Sequence, residues 1–135
     1  MSEENVETLK RAIDGYNRRD VAAILADADP EAEWHFAILA GLGGEATVYR
    51  GQEDVREGLR DLFDTLSDLH VAYPEYRDLG DRIVGIGHIR ARGAGSGAET
   101  ESPHALVADF KDGKMILIRT YLDPAEALEA AGLSE

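Results

Sequence analysis

The chain has 135 residues, no cysteine and a formal net charge of −13. This length is typical of one domain, which we expect to span residues 1–135. The lack of cysteine excludes disulfides, thiolate metal sites and a cysteine nucleophile. The negative charge disfavours nucleic acid and anionic membrane surfaces as partners, because both are themselves negatively charged.

The sequence also lacks the marks of membrane insertion and export. No apolar run approaches the ~20 residues that a membrane-spanning helix needs. Residues 1–5 are acidic, whereas a signal peptide would begin with a basic region followed by an apolar one. We therefore expect a cytoplasmic protein with no membrane partner.

Three helices are predicted in the first half of the chain. Ser2 is a candidate N-cap for the first helix, whose apolar residues recur at helical spacing up to Tyr16. Asp20 is a candidate N-cap for a second, short helix over residues 21–28. The third helix is predicted over residues 53–69. Its apolar residues have the clearest helical period in the chain: Val55, Leu59, Leu62, Phe63, Leu66 and Leu69.

A short strand over residues 33–36 is predicted between the second and third helices. Residues 37–44, which follow it, are mainly apolar and include three glycines. Because an apolar loop is unusual on a protein surface, we expect these residues to fold over a cavity.

From residue 70 onward the pattern changes to strands, with candidates at residues 71–78, 83–92, 101–110 and 115–122. Pro74 in the first candidate predicts an edge strand or a bulge. Asp112-Gly113 between the last two is a strong hairpin signal. We expect an antiparallel meander, followed by a helix over residues 125–131 with Asp123 as its N-cap and Gly132 as its C-cap.

Side chains that alternate along a strand point to opposite faces of the sheet. On the third long strand, His104 and Leu106 share one face. On the fourth, one face is predicted to carry Met115, Leu117, Arg119 and Tyr121. On the second, one face carries His88, Arg90 and Arg92. Alternation leaves open which face of the sheet carries the helices and the pocket.

Histidine is the natural acid–base group near neutral pH, and the chain has four. His35 is the strongest catalytic candidate, because it lies beside Trp34 on a short strand before the apolar loop. His104, at the start of a central strand, is the second. A lone histidine is more often a structural residue, and that alternative stays open for both. The histidines show no metal-ligand spacing, so no metal site and no cofactor are predicted.

Arg119 and Tyr121 are further catalytic candidates, since an arginine among apolar and aromatic residues can bind a carboxylate or an enolate oxygen. The alternative for Arg119 is an ion pair with an acidic neighbour. Three aromatic residues are predicted to form a ligand-binding wall, although core packing is an alternative: Tyr16, Trp34 and Tyr49. Leu106 and Leu117 are predicted to complete the apolar lining.

Five segments of the chain carry a family resemblance: residues 16–20, 33–36, 49–51, 111–114 and 121–132. With them, and over nearly its whole length, the chain resembles the SnoaL-like branch of the superfamily that also contains nuclear transport factor 2 and ketosteroid isomerase. The resemblance implies an α+β cone, in which a strongly curved, mainly antiparallel sheet packs against three N-terminal helices. A short C-terminal helix, an open pocket and a homodimer through the outer face of the sheet are also implied.

The resemblance bears on the site residues as well. The position of the isomerase's catalytic base matches His35, whereas the positions of its two oxyanion donors match Ala12 and Leu106, which cannot donate a hydrogen bond. The histidine of SnoaL-type polyketide cyclases is matched loosely by His104. The resemblance therefore does not imply steroid-isomerase chemistry in its usual form.

Two functions follow from these observations. One is a cofactor-independent isomerase, cyclase or hydrolase for a small apolar or polyketide-like molecule, with His35 as general base and Arg119 or Tyr121 polarising a carbonyl group. The other is a dimeric module that binds a small apolar molecule without converting it.

Overall fold

The computed structural model describes residues 2–36, 47–93 and 99–133. The apolar stretch at 37–44 and most of the glycine-rich turn after β4 lie outside these residues. The helices are α1 (Ser2–Asn17), α2 (Val21–Leu25), α3 (Gln52–Thr65) and α4 (Pro124–Ala130). The strands are β1 (Ala28–Phe36), β2 (Thr47–Arg50), β3 (Leu66–Asp78), β4 (Arg82–Gly93), β5 (Glu99–Lys111) and β6 (Lys114–Tyr121).

The six strands form one open sheet in the order β2-β1-β6-β5-β4-β3. Strands β3 to β6 form the predicted antiparallel meander, and β2 pairs with β1 antiparallel. The pairing of β1 with β6 is parallel, so the sheet is mixed. This α+β arrangement, with helices packed on a mainly antiparallel sheet, confirms the predicted fold class.

The two faces of the sheet carry two separate apolar clusters. The inner face packs against α1, α2 and α3, and it includes Ile83, Ile89 and Ala108. The outer face packs against α4 through Val84 and Val107, both fully buried. Since β4 and β5 contribute to both clusters, these central strands are buried on two sides wherever α4 covers them.

The third helix is shorter than predicted, because it ends at Thr65 and β3 begins at Leu66. The helical spacing of Leu66 and Leu69 was therefore misleading. Pairing with β4 decides the structure here, since Leu66 lies opposite Gly93 and Leu69 opposite Ala91. Leu69 and Val71 then alternate into the core, as expected of a strand.

The predicted face of β6 is wrong from Leu117 onward. A bulge at Ile116 interrupts the pairing, because Phe110 lies opposite Met115 while Asp109 lies opposite Leu117. One extra residue in a strand turns all later side chains to the other face. Met115 therefore points inward, whereas Leu117, Arg119 and Tyr121 share the outer face.

Several local predictions are confirmed. Asp20 and Asp123 cap α2 and α4, each accepting a backbone N–H with its carboxylate. Asp112 and Gly113 both have positive φ, as a tight hairpin between β5 and β6 requires. Pro74 lies in edge strand β3, where the register with β4 shifts between Ala72 and Glu75.

Asn17, the last residue of α1, joins that helix to edge strand β3. Its side-chain amide donates to the carbonyl of Val71 at 2.9 Å, and its side-chain oxygen accepts the Val71 N–H at 2.9 Å. The Asn17 side chain therefore makes the two hydrogen bonds to Val71 that a neighbouring strand would make. This contact fixes the distance between α1 and β3, two elements that line the cavity described below.

We predict that Asn17→Ala lowers the free energy of unfolding by about 2 kcal/mol, because it leaves both backbone groups of Val71 unsatisfied. Urea denaturation measures the change. Arg18→Ala is the matched control, since it removes only exposed ion pairs, with Asp14 and Asp20, and is expected to change stability much less than Asn17→Ala. Equal losses in the two variants would contradict the proposed role of Asn17.

Candidate functional site

A cavity lies between α1, α2 and the inner face of the sheet. Its volume is about 40 Å³, enough for a few water molecules. Helices α1 and α2 contribute Leu9, Ala12, Ile13, Tyr16 and Ile24. The strands contribute Trp34, Val71, Tyr73, His104, Leu106, Met115, Ile118 and Thr120. Within the described part of the chain no Asp, Glu, Lys or Arg lines this cavity.

The principal polar contact in the cavity joins Tyr73 and His104. The Tyr73 hydroxyl lies 2.7 Å from Nδ1 of His104, and the rings are stacked with centroids 5.8 Å apart. Both residues are buried, at 8% and 3% exposure. Nδ1 is engaged with Tyr73, so Nε2 is the ring nitrogen left for a ligand.

Two glycines of β4 make this contact possible. Tyr73 on β3 reaches His104 on β5 across the intervening strand β4. A side-chain carbon placed on Gly85 would lie 3.2 Å from the ring of Tyr73, and one on Gly87 would clash with the carbonyl oxygen of Ala72. The absence of side chains at these two positions leaves room for the tyrosine ring and for the irregular backbone of β3.

Burial keeps the polar groups of the cavity uncharged. Removal from water lowers the pKa of His104 to about 4, because a desolvated imidazolium is unfavourable. Burial also raises the pKa of Tyr73 well above its usual value, with smaller contributions from Tyr16 and Tyr76. At neutral pH the pair is therefore a neutral imidazole beside a neutral phenol.

Tyr16 brings a second phenol to the cavity. Its ring packs edge-on against Phe63 with centroids 5.5 Å apart, and burial raises its pKa. Among the described residues its hydroxyl has no hydrogen-bond partner, in contrast to the hydroxyl of Tyr73. The Tyr16 hydroxyl is therefore available to donate a hydrogen bond to a bound molecule.

Four of the nine predicted site residues line the cavity: Tyr16, Trp34, His104 and Leu106. The two positions that the resemblance matched to the isomerase's donors, Ala12 and Leu106, also line it. Tyr16 lies one helical turn after Ala12, and His104 lies two residues before Leu106 on the same face of β5. The polar groups of this cavity are thus close to the expected positions, although not at them.

The other five predicted site residues lie outside the cavity. His35 follows inward-facing Trp34 on β1, so its side chain points to the outer face, where Nε2 lies 2.7 Å from Glu33. The bulge in β6 places Leu117, Arg119 and Tyr121 on that same face. Tyr49 packs in the core against Gly58 of α3. These five side chains therefore do not line the cavity described above.

Sequence reasoning missed Tyr73 and Thr120. Tyr73 precedes Pro74, which interrupts the strand pattern, so the pattern did not assign Tyr73 to the inner face. Tyr73 alternates with Leu69 and Val71 along the strand, and this alternation predicts that all three side chains point to the same face. The side chain of Thr120 points inward only because of the bulge. Its hydroxyl donates to the backbone carbonyl of His35 at 3.1 Å.

The face with His88, Arg90 and Arg92 is the exposed outer face, away from the cavity. Opposite them on β5 lie Pro103, Glu101 and Glu99. Among the described residues, no group of three or more histidine or acidic side chains is arranged to hold a metal ion. In the same part of the chain, no helix has the length and apolarity needed to cross a membrane.

Comparison with known proteins identifies the fold. Residues 9–118 match the model of the SnoaL-like domain. No curated protein sequence matches the chain significantly. Among solved structures, an NTF2-like protein of unknown function from Burkholderia pseudomallei is similar with a TM-score of 0.78 and 23% identity, over 93% of this chain and 95% of that one.

Two other solved structures cover nearly the whole chain. TerC, co-crystallised with polyporic acid, has a TM-score of 0.76 and 23% identity, over 93% of this chain and 96% of that one. A candidate SnoaL-like polyketide cyclase from Jannaschia sp. has a TM-score of 0.77 and 19% identity, over 96% of this chain and 92% of that one. At these identities the likeness shows the cone fold.

We predict that His104 makes the protein less stable in mild acid. The unfolded chain takes up this proton near pH 6.5, whereas the folded protein takes it up only near pH 4. Between these values the unfolded state binds more protons, so the free energy of unfolding falls as the pH is lowered. This residue contributes a loss of about 3 kcal/mol between pH 7 and pH 4, and the loss levels off below pH 4 as the folded protein also takes up the proton.

Urea denaturation from pH 7 to pH 4 measures this dependence. His104→Gln is expected to flatten the curve in that interval. His88→Gln, which changes an exposed histidine, is the control and is expected to leave the slope unchanged. An unchanged slope in His104→Gln would show that the imidazole of His104 does not need to stay neutral for the protein to fold.

Proposed function

Because the chain belongs to the SnoaL-like domain family, we propose that it takes a small, largely apolar molecule into its cone-shaped cavity and converts it by acid–base chemistry without a cofactor. The observation that carries this proposal is the His104–Tyr73 hydrogen bond, which lies in a cavity otherwise lined mainly by apolar side chains. A pair of proton-exchanging groups in an apolar pocket is the usual form of an acid–base site.

In this proposal His104 replaces His35 as the proton acceptor. Nε2 of the neutral imidazole takes a proton from the bound molecule, and the Tyr73 hydroxyl at Nδ1 orients the ring. The proton then returns to another atom of the same molecule, so the reaction is an isomerisation or a ring closure with no redox step. An oxygen of the bound molecule that develops negative charge would accept a hydrogen bond from the Tyr16 hydroxyl.

The solved relatives support a small organic molecule as the substrate. TerC was co-crystallised with polyporic acid, and the Jannaschia protein is described as a SnoaL-like polyketide cyclase candidate. A polyketide-like compound is therefore one class to test in this chain. The described residues of the cavity lining include no ionised side chain, which favours an uncharged compound, because a charged one would enter without a counter-charge from them.

The cavity volume limits the size of that compound. About 40 Å³ is less than the roughly 150 Å³ of an apolar cavity that holds benzene. A compound with one ring therefore requires side chains to move. Met115 is suited to such a change, since its unbranched side chain lines the cavity and is more adaptable than a branched one.

Binding without conversion is the second candidate function. The burial of His104 favours it, because removal from water lowers the pKa of the imidazole to about 4 and so makes it a weak proton acceptor at neutral pH. Such a neutral imidazole is still a good hydrogen-bond partner for an uncharged molecule. The two functions share one site, so the same variants test both.

We predict that Tyr73→Phe and His104→Gln each weaken binding of a cavity ligand about tenfold or more, because each removes a hydrogen bond in a dry site. Native mass spectrometry of the purified protein supplies the ligand, and calorimetry measures the affinity. His88→Gln on the outer face is the control. If both variants bind as tightly as the unchanged protein, the pair has no part in recognition.

Incubation of the ligand with the protein separates the two functions. Conversion that His104→Gln abolishes supports the acid–base enzyme. A ligand that is recovered unchanged supports the binding module and contradicts catalysis on that compound.

We also propose that the protein is a homodimer through the outer face of the sheet, as the family resemblance implies. Support comes from the side chains that α4 leaves uncovered on this face. Val48 is 43% exposed and lies opposite His35 on β1. Leu117 is partly exposed on the neighbouring strand β6. Apolar side chains on a face with few covering elements favour association.

Sedimentation equilibrium is predicted to give twice the chain mass of 14.7 kDa. Val48→Glu is expected to shift the protein toward monomer, because it buries a charge in the proposed interface. Leu79→Glu is the matched control, since Leu79 is 41% exposed in the turn between β3 and β4. A monomer at every concentration, or equal effects of the two variants, would contradict this interface.

A further inference from the structure

Two side-chain amides fix the direction in which α1 runs along the cavity. Near the start of the helix, Asn5 donates to the carbonyl of Gly80 at 3.0 Å, in the turn between β3 and β4. At the end of the helix, Asn17 is hydrogen-bonded to both backbone groups of Val71, which lies well before that turn on β3. Helix α1 therefore starts beside the turn and runs lengthwise over the inner face, away from it.

The strands give the cavity two distinct ends. The β3–β4 turn and the β5–β6 hairpin lie at the same end of the sheet, since Arg82, just after the turn, pairs with Asp109, just before the hairpin. Met115 is the second residue of β6, so it lies at this end too. Thr120 on β6 and His104 on β5 lie several residues away from the hairpin, toward the other end. The cavity therefore extends from Met115 to the neighbourhood of Thr120 and His104.

Exposure and polarity change together between these two ends. At the hairpin end, the cavity is lined by Leu9 and Met115, which are apolar and only 1% and 0% exposed. The lining residues that are partly exposed belong to the second half of α1 and to the far part of β6: Ile13, Tyr16 and Thr120. The polar side chains of the cavity lie toward this second end. The cavity thus has an apolar closed end at Met115 and a polar open end at Tyr16.

We propose that the cavity selects a small compound with a hydrogen-bonding oxygen at one end and an apolar body, and that Met115 sets the length of that body. This inference rests on the proposed function. The oxygen lies at the open end, within reach of the Tyr16 hydroxyl and Nε2 of His104, and the apolar body points toward Met115. In the reverse orientation the oxygen would be buried at the closed end without a polar side chain from the described lining, which is unfavourable.

The side chain of Met115 is suited to this selective role. It is fully buried, it lines the closed end and its unbranched chain can change rotamer to make room. Shortening it to alanine would leave an empty apolar space there, and such a space stays dry and takes up apolar groups. A longer apolar body should therefore fit after Met115→Ala, while the hydrogen bonds at the open end are unchanged.

Phenol, 4-methylphenol and 4-ethylphenol are the probes, because they carry the same neutral hydroxyl and differ only in the length of the apolar body. Calorimetry at pH 7 measures their affinities. We expect Met115→Ala to raise the affinity for 4-ethylphenol relative to phenol about tenfold, since two further carbons become buried. Ile13→Ala is the matched control, because it shortens an apolar side chain at the open end, and it is expected to leave that ratio unchanged. An equal change in both variants overturns the inference.

NMR of the unchanged protein tests the orientation of the bound compound without any variant of the cavity. The chain has two methionines, Met1 and Met115, so labelling the methionine methyl groups with ¹³C gives two signals. The signal of Met115 is the one lost in Met115→Ala, or in Met115→Leu if the alanine variant does not fold. We expect nuclear Overhauser contacts from the ethyl group of 4-ethylphenol to the Met115 methyl group, and none from the ring protons beside the hydroxyl.

The outcomes separate this inference from the proposed function. Probes that bind with the hydroxyl toward Met115, or with a length preference that Met115→Ala does not change, overturn the inference and leave the proposed function standing. Absence of binding by all three phenols, in the unchanged protein and in Met115→Ala, contradicts the proposed function as well, because the cavity would then not admit small uncharged compounds.

Discussion

The hydrogen bond between Tyr73 and His104 is the interaction on which the proposed site depends. It is 2.7 Å long and lies in a cavity whose described lining carries no charged residue. In such surroundings a hydrogen bond is strong and a charge is costly, so both residues stay neutral. The pair joins edge strand β3 to central strand β5 across β4. Two glycines of β4 leave room for this contact, and the hydrogen bonds of Asn17 to Val71 hold α1 at a fixed distance from β3.

The two positions that the resemblance matched to the isomerase's donors line the cavity, but both carry apolar residues. Ala12 and Leu106 occupy the expected inward positions, but the groups that can donate a hydrogen bond lie one helical turn or two strand residues away, at Tyr16 and His104. Two other candidates, His35 and Arg119, lie opposite each other on neighbouring strands, with their side chains on the outer face of the sheet. The inner face thus presents neutral hydrogen-bonding groups, whereas the outer face carries ion pairs such as Arg82–Asp109 and Arg50–Glu33. Any chemistry of the described cavity residues must begin from uncharged groups.

Local signals predicted much of the fold, because they depend on neighbouring residues only. The caps at Asp20 and Asp123, the hairpin at Asp112-Gly113 and the meander of β3 to β6 are examples. The site was harder to predict, because it depends on contacts between residues that are distant in the sequence. The bulge at Ile116 reversed the faces of β6, and Leu66 and Leu69 fitted a helical period although pairing with β4 makes them strand residues. Tyr73 matters only because the sheet brings it to His104.

Direct observation of the protonation state of His104 tests this account most sharply. The protein can be labelled with ¹⁵N at histidine and its ring nitrogens followed by NMR from pH 7.5 to pH 4. The account predicts that the ring of His104 stays neutral down to about pH 4, with Nδ1 shifted by its hydrogen bond to Tyr73 and restored toward the free value in Tyr73→Phe. A ring that becomes charged near pH 6.5 would contradict it, because His104 would then be in contact with water and not in a dry pocket with Tyr73.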